Sequence, residues 1–290
     1  MRSKALKTLT VGFFAILFLT GIFLYQKARF NDGKIHIVFC NVGQGDGIFI
    51  RTPKGVDILV DGGPDQSILS CLSNHMPFWD REIEVVILTH PHEDHLAGLV
   101  PLIKKYKVLS FYTEEVSGRT QTYKEFTKLL KAKNINSKFL LSGSKFSLSD
   151  GTSFKILWPS IYTVHKKQPL NVNFDLNGLS VIGVLSFKEF NVLLTGDGGS
   201  IVENQIAKTI GDIDILKVPH HGSKTGMDKE FLKKIKPELA VISAGKNNSY
   251  GHPAKEMLDL LESFNIKTLR TDIDGEIEVV SDGKNWFVRK

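Results

Sequence analysis

The sequence predicts an α/β fold in which two central mixed sheets carry helices on their outer faces, preceded by one N-terminal membrane helix. Three observations predict it. Short apolar runs recur from residue 34 onward and end repeatedly in Gly or a polar residue, as strands covered on both faces do. Between them apolar residues fall at helical spacing, on Leu96, Leu99, Leu102, Ile103 and Tyr106, then Phe126, Leu129 and Leu130, then Met257, Leu258, Leu261 and Phe264. Some neighbouring runs are joined too tightly for a helical crossover: 48–50 and 56–60 are separated by Thr52-Pro53-Lys54-Gly55, so hairpins are present as well.

The elements follow in order. Residues 8–25 form an uncharged run, roughly 27 Å long as a helix against a hydrocarbon core of about 30 Å. Arg2, Lys4 and Lys7 precede it, and no small-residue cleavage pattern follows before Phe30, so 1–30 reads as an uncleaved anchor, with a signal sequence as the alternative. The basic residues ahead of the run slightly outweigh Lys27 and Arg29, which places the tail in the cytoplasm and the body outside, in a single-pass cell-membrane protein. Strands are expected at 35–40, 47–51, 58–60, 85–88, 154–158, 181–187, 192–194, 215–218 and 239–242. No linker or repeat divides residues 31–290, which form one domain.

With 42% hydrophobic and 23% charged residues, the chain is ordinary globular material rather than coiled coil, collagen or disorder. Its net charge of +6 is concentrated in the anchor segment, whose five basic residues have no acidic counterpart; the rest carries 32 basic against 31 acidic side chains. No global basic field steers a polyanion to this body. Cys40 and Cys71 match no zinc-ribbon spacing and read as buried thiols, or as one disulfide if the domain is exported.

Polar residues collect where strands end. The run 85–88 leads into Thr89-His90-Pro91-His92-Glu93-Asp94-His95, with a helix starting near His95. Imidazole and carboxylate are ligands for a borderline divalent ion. His90 and His92, two apart in an extended turn, suit one metal ion; Asp94 and His95, at the helix start, suit a second; Glu93 points away. Asp197, flanked by glycines at the end of 192–194, is placed to bridge two cations. Of His220 and His221 one is expected to ligate and the other to pack, because consecutive side chains diverge. His252 precedes a helix beginning near Ala254 and is a general acid for a leaving oxygen or a further ligand. Ser223, Lys224 and Thr225 offer a small anion cradle. Asp46 and Asp61 are expected behind the ligands, bonding to them or to backbone.

The run THPHEDHLAG resembles the signature of the metallo-β-lactamase fold hydrolases, and the other motifs agree in order: NVGQGD from Asn41, LVDGG from Leu59, LLTGDGG from Leu193, KVPHHGSKT from Lys217 and YGHP from Tyr250. That set is similar to the hydrolase domain of the ComEC-type DNA-uptake proteins over 34–285, without their many-spanning channel region. The resemblance implies an αβ/βα sandwich, two divalent ions, zinc or manganese, bridged by Asp197, and nuclease or other phosphodiesterase action on single-stranded DNA or another nucleic acid; a DNA-uptake channel is the implied partner, and because the body is nearly neutral its nonspecific affinity for nucleic acid is expected to be modest. Asn41 stands where the family commonly has Asp. The histidine that most relatives supply shortly before the bridging aspartate is missing; His165 is one candidate for it, and Asn177, in the Asn-x-x-Ser of the ComEC-like group, is a substitute ligand or substrate contact. Alternatives are a hydrolase of cell-envelope phosphodiesters or of a lactam or lactone, and a membrane-tethered binding module without catalysis.

Overall fold

A computed structural model describes residues 2–165 and 176–289. An apolar helix, Arg2–Phe30, leads into two stacked sheets. The first is started by β1 (Ile35–Phe39), β2 (Ile48–Arg51), β3 (Asp57–Val60), β4 (Glu82–Leu88), β5 (Lys107–Thr113) and β6 (Ser137–Phe139). The second holds β7 (Lys145–Ser147), β8 (Thr152–Trp158), β9 (Ile182–Phe187), β10 (Phe190–Leu194), β11 (Ile215–Lys217), β12 (Leu239–Ile242) and β13 (Lys267–Arg270). The chain then returns to the first sheet with β14 (Ile277–Ser281) and β15 (Trp286–Arg289). Among the described residues the orders are β15-β14-β1-β2-β3-β4-β5-β6 and β13-β12-β11-β10-β9-β8-β7.

Each sheet is half antiparallel and half parallel. β3 to β6 and β10 to β13 run parallel, which brings the carboxyl ends of β4, β10, β11 and β12 to one rim. Loops at such ends are where α/β sheets place their sites. The strands are buried on both faces: Ile37, Phe39, Val192 and Ile215 pack between the sheets. Leu72, Leu99 and Phe126, from helices Ser67–His75, Leu99–Lys105 and Gln121–Ala132, cover the first sheet outside. Phe231, Met257 and Leu261 cover the second, from Lys229–Ile235 and Lys255–Ser263. Thr120 and Asp228 start two of these helices by accepting the backbone N–H of Tyr123 and Phe231.

Three readings of the sequence are corrected. Cys40 and Cys71 are not free thiols but one buried disulfide, with Cα atoms 5.8 Å apart, tying the end of β1 to helix Ser67–His75. The helix expected near His95 begins at Glu93, runs to Leu96, and restarts at Leu99. Ala97 and Gly98 between the two pieces keep right-handed helical angles, and only glycine fits at 98, where a Cβ would lie 1.9 Å from the carbonyl oxygen of Gly62. Strands β5 to β7 and β13 to β15 went unread. His165 ends helix Ile161–His165, and its side chain lies outside the described residues.

Candidate metal centre

Three loops on the carboxyl rim build the site. After β4, Thr89 and His90 continue inward, and the short helix Glu93–Leu96 turns Asp94 and His95 toward the rim while Glu93 stays exposed. After β10, Gly196 adopts φ +50 and presents Asp197. After β11, His220 and His221 both take left-handed backbone angles, φ 50 and 53. That pair of unusual conformations brings both rings to Asp197, so the expected divergence of consecutive side chains does not hold here. His220 Nε2 is 3.8 Å and His221 Nε2 3.5 Å from Asp197 Oδ2.

The remaining distances close the cluster. His95 Nε2 lies 3.3 Å from Asp197 Oδ1, His90 Nε2 3.9 Å from Asp197 Oδ2, and His221 Nε2 3.3 Å from Asp94 Oδ2. Ligand atoms of Asp94, His95, Asp197 and His221 all fall within 4.8 Å of one another. The His92 ring stands edge-on to His90, 4.6 Å between centroids.

Each buried imidazole is tied at its far nitrogen. His95 Nδ1 bonds Asp61 Oδ2 at 2.8 Å, His221 Nδ1 donates to the Ser243 carbonyl at 3.0 Å, and His90 Nδ1 lies 3.2 Å from Ser180 Oγ. Among the described residues, Nε2 of His90, His95 and His221 and Oδ1 of Asp197 are buried with no hydrogen-bond partner. Orphaned buried polar atoms are costly. Three imidazole lone pairs and a carboxylate aimed at one space are what a divalent cation requires, so the residues fit the group the fold implies.

The electrostatics agree. Burial raises Asp94, yet the His221 hydrogen bond and the His95 ring outweigh it and hold the carboxyl down at about 2. Asp197 is likewise held well below its usual range against its burial, by His221 and His95. Burial depresses His95 and His221, but Asp197 lifts both well above ordinary histidine. Without a cation these rings retain protons beside Asp197, and binding a cation would release them.

Asp46 and Asp61 contact the histidine rings from the side away from Asp197. Asp61 also accepts the backbone N–H and the hydroxyl of Thr89, both at 2.7 Å. Asp46 pairs with Lys217 Nζ at 2.7 Å and lies 3.4 Å from His221 Nδ1. Lys217, fully buried, was missed by sequence reasoning; a lysine inside the apolar run Ile-Leu-Lys-Val was the available signal. Ser180, the serine of the Asn-x-x-Ser run, also accepts the Asp197 N–H at 3.2 Å, a role the sequence pattern left unassigned.

Asn177, in the 3-10 turn Leu176–Leu179, places Nδ2 3.4 Å from His220 Nε2. His252 stands 5.6 Å from His220 between ring centroids, stacked on Tyr250 and with its Nδ1 buried. Its loop is docked on the histidine loop, since the Ala254 N–H donates to the Gly222 carbonyl at 2.9 Å and a Cβ on Gly222 would meet Pro253 at 2.6 Å. Ser223 is buried, its hydroxyl 3.2 Å from that of Thr225 and accepting the Thr225 N–H at 3.3 Å. Lys224 and Thr225 are exposed on this turn, and no described contact joins Lys224 to the ligand cluster.

Residues 40–167 match the model of the Metallo-beta-lactamase superfamily. The solved metallo-beta-lactamase fold protein YhfI from Bacillus subtilis superposes with TM-score 0.52 at 13% identity, over 82% of this chain and 95% of that one. The chain has a metallo-β-lactamase fold. Zn(2+)-bound PqqB from Methylobacterium extorquens shares that fold, with TM-score 0.55 at 12% identity over 81% of this chain and 97% of that one. By sequence the chain is similar to ComE operon protein 3 of Bacillus subtilis, 27% identical over 89% of this chain and 34% of that protein. It is also similar to Recombination protein 2 of Haemophilus influenzae, 25% identical over 96% of this chain and 33% of that protein. Competence protein ComA of Neisseria gonorrhoeae is 25% identical over 91% of this chain and 35% of its own length. The chain thus spans about a third of the length of these relatives.

Proposed function

We propose that the protein is a membrane-anchored, two-metal phosphodiesterase that cuts DNA, in the service of DNA uptake. The observation that carries the reading is the convergence of three buried, unpartnered Nε2 atoms on Asp197, each with its Nδ1 side already bonded. His90, His92 and His220 would hold one ion, Asp94, His95 and His221 the other, with Asp197 facing both. Two divalent ions there supply Lewis acidity, activating water near neutral pH and neutralising charge on a phosphodiester. The chain does the rest. Asp61, Ser243 and Ser180 fix the ring orientations; His252 serves the proton of the leaving oxygen; Asn177, Ser223, Lys224 and Thr225 are the substrate contacts. His220 then stands in for the histidine missing ahead of Asp197.

Two relatives, named Competence protein ComA and Recombination protein 2, support DNA as substrate. The helix Leu9–Phe30 is long and apolar enough to cross a membrane, which supports the anchor. The Cys40–Cys71 disulfide supports a domain outside the cytoplasm, where such bonds persist. Incubating the reconstituted full chain with single-stranded DNA and manganese or zinc tests the reading. Cleavage abolished by a chelator is expected; a metal-loaded chain that leaves DNA and RNA intact would overturn it.

A further inference from the structure

The rim opposite the ligand cluster carries its own features. β4 runs seven residues from Glu82 to Leu88, so its two ends are roughly 20 Å apart at about 3.3 Å per residue. The histidine loop leaves one end. At the other, just before Glu82, Phe78 and Trp79 project into solvent, 57% and 41% exposed, in edge contact with each other at 4.9 Å. Trp79 also lies 4.8 Å from Phe23 of the apolar helix. That helix is fastened to the same rim: Arg51 Nε donates to the Phe30 carbonyl at 3.0 Å, and Arg51 is held by Asp57 at 2.7 Å and faces Asp80 at 3.7 Å.

The depth of Phe23 decides what covers these rings. It sits two residues from the end of the uncharged run 8–25. In a helix that spans a bilayer, this is the level at which hydrocarbon meets headgroups and where aromatic side chains are enriched. One strand over, Arg81 lies over the Tyr106 ring at 5.5 Å, and the adjoining surface holds a cavity of about 240 Å³ lined by Lys104, Lys105, Tyr106, Lys107 and Lys133. Lys104 and Lys107 are paired with Glu125 and Glu82. Lys105 and Lys133 are exposed and make no ion pair among the described residues. Aromatic rings flanked by uncommitted lysines form the composition of a surface that rests on anionic lipid.

We propose that the domain docks on the bilayer through this rim, with Phe78 and Trp79 seated among the headgroups and Lys105 and Lys133 on anionic phosphates, so that the ligand cluster faces water. The inference rests on the anchored reading of the N-terminal helix. Its consequence is that the site takes a polymer arriving from the aqueous side rather than a lipid headgroup beneath it.

The full chain, reconstituted in vesicles of phosphatidylcholine with a minority of phosphatidylglycerol bearing brominated acyl chains, tests it. Bromine should quench Trp79, and Trp79→Phe, with unchanged thermal melting, should lose most of the quenching. Amine-reactive labelling in the same vesicles, compared with detergent, should spare Lys105 and Lys133 while leaving Lys224 labelled. If an alkaline wash leaves the chain in the membrane but wild type and variant are quenched alike, or if Lys224 is protected instead, the docking is overturned and the anchor stands. If the wash releases the chain, the anchored reading fails and the docking falls with it.

Discussion

Oδ2 of Asp61 lies 2.8 Å from Nδ1 of His95, on the side of the ring away from Asp197. The carboxylate is buried and held in a left-handed backbone conformation, φ 61, so the turn after β3 exists to aim it. A carboxylate behind a histidine fixes the ring and its tautomer and raises its basicity as a ligand.

Asp61→Ala should therefore weaken metal binding by about 10- to 100-fold while the ligand atoms themselves are untouched. Titration of metal against a competing chelator checks it. Affinity equal to wild type would make Asp61 a support of the backbone alone.

His252 discriminates between leaving groups. An alkoxide leaving from DNA needs a proton and an aryl oxide needs little, so His252→Ala should slow cleavage of single-stranded DNA on the order of a hundredfold and largely spare bis-nitrophenyl phosphate. Equal losses on both substrates, with less bound metal, would make His252 a ligand.

Glu203 should make stability fall with rising pH. Burial pushes the Glu203 carboxyl to about 9, opposed by the Asp228 N–H it accepts at 3.0 Å and reinforced by the Asp228 carboxylate. The folded state keeps this proton up to about pH 9, whereas an unfolded glutamate releases it near pH 4.3. Between those values the folded state binds more protons, so its stability declines as pH rises. Glu203→Gln removes the proton, and its melting temperature should gain on wild type steadily from about pH 5 to pH 9. Parallel melting curves across that window would contradict the assignment.

The disulfide closes a segment of 31 residues. Chain entropy gives it roughly 3 to 4 kcal/mol, on the order of 10 °C in melting temperature for a domain of this size. Thermal unfolding with and without reductant measures it; unchanged melting would mean that the bridge adds no stability.

The parts of this molecule that are patterned were legible. Continuous apolar runs announced β1 to β4 and β8 to β12, because strands buried on both faces need no alternation. The edge strands β6, β7 and β15 were not legible, since residues such as Ser137, Lys138 and Phe139 are exposed and leave no hydrophobic signature. β14, all buried and rich in Ile and Val, did carry a signal that went unread. At the site, His90, His92, Asp94, His95 and Asp197 stood out as dense polar groups at strand ends. The convergence of both His220 and His221 on Asp197 did not, because it depends on two consecutive left-handed residues that side-chain type alone does not reveal.

The central claim is that Asp197 stands between two ions. Elemental analysis of the full chain after manganese or zinc reconstitution tests it most directly, comparing wild type with Asp197→Ala. The account predicts close to two ions per wild-type chain and a clear loss from the variant. No bound metal in wild type, or an undiminished content in the variant, would contradict it.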